Sequence, residues 1–104
     1  RALIPTGFSL EIPNNYEIQI RPRSGLAINH GITILNSPGT IDSDYRGLIG
    51  IILINHGYEI YKILHGDRIA QMIVSPISQA LFETTDQLRE SSRGAGGFGS
   101  TGKK

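Results

Sequence analysis

The chain has 104 residues, a formal net charge of +1 and no cysteine. That length allows one domain with a modest core. The missing thiols exclude disulfides and thiolate metal sites, and the interspersed charges lack the basic footprint of a nucleic-acid binder. The longest apolar run, from Leu48 to Ile54, is interrupted by Gly50 and is too short to cross a bilayer. No nucleic-acid or membrane partner is therefore expected, and a cysteine-free chain suits a reducing, cytoplasmic setting.

Seventeen isoleucines punctuated by Gly, Pro and Asn point to an all-β domain of short strands. Residues 2–4 read as a strand end. Residues 8–12 alternate apolar and polar, and Pro13-Asn14-Asn15 turns them into residues 16–20, which alternate again. These two segments are expected to pair as a hairpin. Ser24 is a candidate cap for one short helix through Ile28. His30-Gly31 should turn into a short strand over 32–35. Residues 36–40 read as a loop before a buried strand that ends at Ile54. Residues 58–63 alternate, 68–74 are mostly apolar, and 80–83 read as a last short strand. Such even spacing suggests a closed sandwich or barrel. Residues 1–84 are then the domain, and 85–104 an arm outside its core, with five glycines in the last eleven positions.

The most reactive stretch is Gly39-Thr40-Ile41-Asp42-Ser43-Asp44-Tyr45-Arg46-Gly47. It holds two carboxylates, a phenol and a guanidinium in a turn-prone segment that feeds the most apolar strand. Asp42 needs only reach and polarity to activate water. There is no Gly-x-Ser-x-Gly and no Cys/His pair, so covalent catalysis has no support. Arg23-Ser24-Gly25 reads either as a helix start or as a phosphate contact. Gln71 interrupts an apolar strand, as an outward residue or as a pocket amide. His30, His56 and His65 each lie beside a glycine without ligand spacing and read as exposed turn residues. Gly94, Gly96 and Gly99 match G-x-G-x-x-G, and residues 97–103 match most of a P-loop. Neither has the strand and helix those motifs need. A lid that orders over a nucleotide accounts better for Arg93, Phe98, Ser100 and Thr101 among the glycines.

Four segments together resemble the trimeric dUTP diphosphatases (dUTPases). Arg21-Pro22-Arg23-Ser24-Gly25-Leu26-Ala27 is similar to the second of that family's five motifs, and the Gly39 to Gly47 stretch to the third. Gly66-Asp67-Arg68-Ile69-Ala70-Gln71-Met72-Ile73 is similar to the fourth, and Arg93-Gly94-Ala95-Gly96-Gly97-Phe98-Gly99-Ser100-Thr101-Gly102 to the fifth. The resemblance covers essentially the whole chain. It implies a distorted β jelly roll with a flexible glycine-rich C-terminal arm, assembled as a homotrimer with shared active sites. The implied reaction is Mg²⁺-assisted hydrolysis of dUTP to dUMP and diphosphate, which limits uracil incorporation into DNA and supplies dUMP for thymidylate synthesis.

The resemblance also implies roles. Asp42 activates the attacking water, and Tyr45 packs under the deoxyribose. Asn36 belongs to the uracil-reading loop. Arg23, Ser24 and Gly25 contact the α- and β-phosphates, and Gln71 binds phosphate and water. Arg93, Gly99, Ser100 and Thr101 contact the outer phosphates, and Phe98 covers the uracil. Mg²⁺ would be held mainly by the substrate phosphates, without a protein cage. The family's first motif, an Ala-Gly-Tyr-Asp-like segment, is not in the sequence. Arg1 reads as mid-domain, so residues upstream of it are expected, and a chain lacking them should fold and turn over poorly. A dCTP deaminase of the same fold and a non-catalytic nucleotide-binding trimer are the alternatives.

Overall fold

The computed structural model describes residues 1–104. Its elements in chain order are β1 (Ala2–Pro5), β2 (Tyr16–Arg21), α1 (Ser24–His30), β3 (Ile32–Ile34), β4 (Gly39–Ile41), β5 (Gly50–Asn55) and β6 (Gln71–Pro76). They form two three-stranded antiparallel sheets, ordered β1-β5-β3 and β4-β2-β6. The expected all-β, jelly-roll-type layering of two sheets is what the chain adopts.

The alternation of isoleucines sets which faces meet. Ile18 and Ile20 on β2, Ile32 and Ile34 on β3, and Ile51 and Leu53 on β5 are buried. With Ile12 and Ile49 they make the core, against which Tyr61, Ile63 and Ile69 are partly packed. Each such side chain contributes about 1.5–3 kcal/mol on burial. Helix α1 begins after Arg23, which is extended at φ −103° and ψ 131°, and no side chain caps it. Ser24 is therefore the first helical residue and not the cap the sequence suggested. His30 lies in the helix's last turn, its ring 4.5 Å from that of Tyr61. Gly31, at φ 70°, ends the helix by donating to the carbonyls of Ala27 and Leu26. There the backbone of Gly57 crosses it so closely that a Cβ on Gly31 would lie 2.6 Å from Gly57 N. The His56 N–H donates to the Gly31 carbonyl at 2.8 Å and locks the crossing.

Three expected strands do not form. Residues 8–12 run beside the core, and Ile12 is buried as the alternation required. The expected hairpin with β2 is absent because both β2 edges are taken, by β4 and by β6. Residues 58–63 point Tyr61 and Ile63 inward, but no strand of the chain pairs with them. Their start is held instead by the Asn55 side chain, which accepts from Gly57 N at 2.8 Å and donates to the Glu59 carbonyl at 2.9 Å. Residues 80–83 are fully open, with Leu81 at 97% and Phe82 at 100% exposure. Conversely, β4 starts at Gly39, inside the expected loop, because Gly39 pairs with Ile20.

Only nine residues are buried, and the chain exposes 9030 Å². A compact monomer of 11.3 kDa would expose roughly 5,700 Å². The radius of gyration is 19.2 Å, where about 13 Å is usual for this length. The excess lies in apolar side chains without cover, among them Ile28, Tyr58, Ile60, Leu81, Phe82 and Leu88. No helix is long and apolar enough to cross a membrane.

Candidate active site

β4 delivers Ile41 against Ile18 and then releases the chain into a tight turn. The Tyr45 N–H donates to the Asp42 carbonyl at 3.2 Å and closes that turn. The Tyr45 hydroxyl donates to the Leu48 carbonyl at 2.8 Å, which folds the ring back over the loop. Gly47 is the seat for that ring, since a Cβ there would lie 2.6 Å from Tyr45 Cζ. Arg46 Nη1 donates to the carbonyls of Ser43 at 2.7 Å and Tyr45 at 3.3 Å. Its other terminal nitrogen lies 3.8 Å from Glu11. Asp42 and Tyr45 thus sit on a loop whose shape its own hydrogen bonds fix. They line a pocket of about 220 Å³ with Thr40, Ile41, Leu48, Ile49 and Gly50. Sequence reasoning singled out Asp42 and Tyr45 and gave Asp44 and Arg46 the task of fixing the loop or a subunit contact; Arg46 does brace the loop. It left Gly47 without a role of its own.

The second group forms at the other end of the same sheet. Gln71 opens β6 directly across from Arg21, and its Nε2 donates to the Pro22 carbonyl at 3.1 Å. This ties Gln71 to the segment Arg23-Ser24-Gly25. The first N–H groups of α1 have no intrahelical acceptor, and nothing lies within 4 Å of the place a Cβ would take on Gly25. That open face suits a close-approaching phosphate. Asn36 is exposed beside Gly39, its amide nitrogen 3.5 Å from the corresponding Cβ position there.

The two groups do not meet within one chain. Ile41 is paired to Ile18 and Gln71 to Arg21, so they stand roughly 10 Å apart along β2 and two strand spacings, about 10 Å, across it. The arm residues join neither group. Residues 91–102 are a string of tight turns, with Gly94 N donating to Ser91, Gly96 N to Arg93, Ser100 N to Gly97 and Gly102 N to Gly99. The Arg93 guanidinium donates to the Gly96 carbonyl. Phe98 takes φ 51° and is fully exposed. Gly99, at φ 88°, has open space around it, and Ser100 and Thr101 are exposed. No group of three or more His, Cys, Asp or Glu side chains is placed to hold a metal.

Two β-sheets that bury isoleucine between them, with a carboxylate–phenol loop and an open amide–hydroxyl segment at opposite ends of one sheet, define a jelly-roll-type enzyme domain. A family model for dUTPase matches residues 1–102, and the chain belongs to that family. It is 64% identical over 102 residues to the deoxyuridine 5′-triphosphate nucleotidohydrolase of Roseobacter denitrificans, covering 98% of this chain and 67% of that protein. It is 56% identical over 102 residues to the enzyme of the same name from Syntrophotalea carbinolica, covering 98% of this chain and 69% of that one. Among solved structures, a variant of the Staphylococcus bacteriophage 80alpha dUTPase with dUpNHpp superposes with a TM-score of 0.75 at 22% identity, over 97% of this chain and 80% of that one. A variant dUTPase from phage phi11 of S. aureus, which coordinates a structural Mg(II) ion, superposes with a TM-score of 0.69 at 21% identity, over 83% and 72% of the two chains.

Proposed function

We propose that the chain hydrolyses dUTP to dUMP and diphosphate, with Asp42 as the base that activates water. The observation that carries this reading is the self-braced loop from Asp42 to Leu48. It holds a carboxylate and a phenol beside a pocket in a member of the dUTPase family. Asp42 takes a proton from water as its oxygen bonds to the α-phosphorus, and the bond from that phosphorus to the β-phosphate oxygen breaks. Tyr45 lies against the deoxyribose where a 2′-hydroxyl would stand, and the loop from Asn36 reads uracil with main-chain groups, which leaves cytosine unpaired. Arg23, the Ser24 hydroxyl, the Gly25 N–H and the Gln71 amide take the phosphates near the leaving group. Arg93, Gly99, Ser100 and Thr101 take the outer phosphates, and Phe98 stacks on the base.

The chain presents hydroxyl, amide and guanidinium donors suited to phosphate and no carboxylate cage, which fits Mg²⁺ held through the triphosphate oxygens. Bound there, the ion neutralises charge and fixes the triphosphate geometry. Residues 1–84 serve as the catalytic domain, and the arm of 85–104 closes over the site of a neighbouring copy. A homotrimer with shared sites accounts for the separation of the two residue groups within one chain, and it gives the uncovered apolar surface a partner. The cytoplasm is the compartment that suits a cysteine-free chain.

Diphosphate release measured across dUTP, dTTP, dCTP and UTP with Mg²⁺ tests the proposal. Release from dUTP alone is expected. Ammonia release from dCTP would replace this reading with a deaminase, and dUTP binding without turnover would replace it with a nucleotide-binding protein.

A further inference from the structure

β2 turns its isoleucines to the core, so Glu17, Gln19 and Arg21 alternate onto the opposite face of the sheet. They are linked end to end. Gln19 Nε2 donates to Glu17 Oε2 at 3.0 Å, and Arg21 Nη2 donates to Gln19 Oε1 at 2.9 Å. The carboxylate fixes the direction of the amide. With its nitrogen drawn to Glu17, Gln19 can offer only its oxygen to the guanidinium. Arg21 stands directly across the sheet from Gln71, whose amide is pinned to the Pro22 carbonyl. The row therefore ends in an oriented cation beside the segment of Arg23, Ser24 and Gly25. One side-chain hydrogen bond occupies the Arg21 guanidinium, whose fork has five donors. The one ion pair of the chain is elsewhere, between Arg46 and Glu11. An exposed guanidinium held by a neutral amide and left without an anion is a preformed receptor for phosphate oxygens.

We propose that Arg21 is a further substrate-binding residue that grips the diphosphate part of the nucleotide, with Gln19 and Glu17 as positioning residues that hold its guanidinium. The proposal rests on the dUTP reading above and adds to it a cation that lies on the strand ahead of the phosphate segment. Its chemistry demands an effect that depends on the outer phosphates. dUMP, which lacks them, should be bound equally well without Arg21.

The test compares the full chain with Arg21→Gln, Arg21→Lys and Gln19→Leu, with Ser75→Ala on the same sheet face as a control. The readouts are the KM for dUTP, the inhibition constants of a non-hydrolysable dUTP analogue and of dUMP, and the melting temperature. Arg21→Gln should raise the KM and the analogue's constant about tenfold, as loss of one charge-assisted contact does. The constant for dUMP should stay within about twofold. Arg21→Lys should recover part of the loss, and Gln19→Leu should give about a threefold rise through the loosened guanidinium. Ser75→Ala should change neither constant. An unchanged analogue constant in Arg21→Gln would overturn the proposal. So would equal losses for analogue and dUMP, which mark a structural role. If Arg21→Gln does not fold, unchanged analogue constants in both Arg21→Lys and Gln19→Leu overturn it equally. Failure of the unmodified chain to release diphosphate from dUTP is a separate result and counts against the functional reading.

Discussion

The loop from Asp42 to Leu48 and the arm from Arg93 to Gly102 carry comparable densities of functional side chains, yet they are built in opposite ways. The loop hangs between two paired strands. Four side-chain or turn hydrogen bonds stay inside it, and Gly47 gives the Tyr45 ring a fixed seat. The arm has short turns, each closed by a bond to a residue three positions back, and one local side-chain bond from Arg93 to the Gly96 carbonyl; no side chain of it reaches the core. The loop is organised before a ligand arrives. The arm's groups are ordered only locally, so their final placement has to come from what they land on. On the proposed reading, the base that activates water gains from the first kind of support, and the cover that admits substrate gains from the second.

The sharpest way to break this comparison is Asp42→Asn. It keeps size and hydrogen-bonding capacity but removes the base. The hydrolysis rate should fall about a thousandfold while affinity for a non-hydrolysable dUTP analogue holds. Near-normal turnover would remove Asp42 as the base. Deleting residues 93–104 should cost about a hundredfold in turnover through lost positioning and leave the melting temperature unchanged, because nothing in the core leans on the arm. A lowered melting temperature would make the arm structural. Gly47→Ala should displace the Tyr45 ring, lower dUTP turnover about tenfold and narrow the preference for dUTP over UTP. An unaltered UTP to dUTP ratio would show that the ring reads no sugar. The smallest effect is expected from Glu11→Ala. Its pairing with Arg46 is exposed and long, so stability should shift by less than about 0.5 kcal/mol in chemical denaturation.

Faces were legible in the sequence, and partners were not. Alternation marked residues 8–12 and 16–20 as half-buried, and Ile12, Ile18 and Ile20 turn inward. Over residues 58–63 it left the face open, and Tyr61 and Ile63 turn inward while Tyr58 and Ile60 stay exposed. The same alternation could not say which edges were free. Residues 8–12 have the right pattern for a strand but no edge on β2 to join, and residues 58–63 pair with no strand. Pairing is a long-range property, decided after the local pattern is satisfied. At the site, the four spaced segments named Asp42, Tyr45, Ser24 and Gln71, and the fold sorts these into two groups on one sheet. What escaped notice is Gly47 beneath a ring and the chain of hydrogen bonds through Glu17, Gln19 and Arg21. The last had a visible sign, three polar residues at every second position of a strand whose other face is isoleucine.

The 9030 Å² that one chain leaves open has a consequence for dilution. A fold with nine buried residues gains, if three copies assemble as proposed, much of its stability from the copies that cover it. On the three-copy reading, the amount of complete site falls with the cube of chain concentration once assembly begins to fail. Activity would then not decline in proportion as the protein is diluted. It would drop away below a threshold, and the melting temperature would climb with concentration above it. On that reading the surface itself would set a steep concentration threshold for activity.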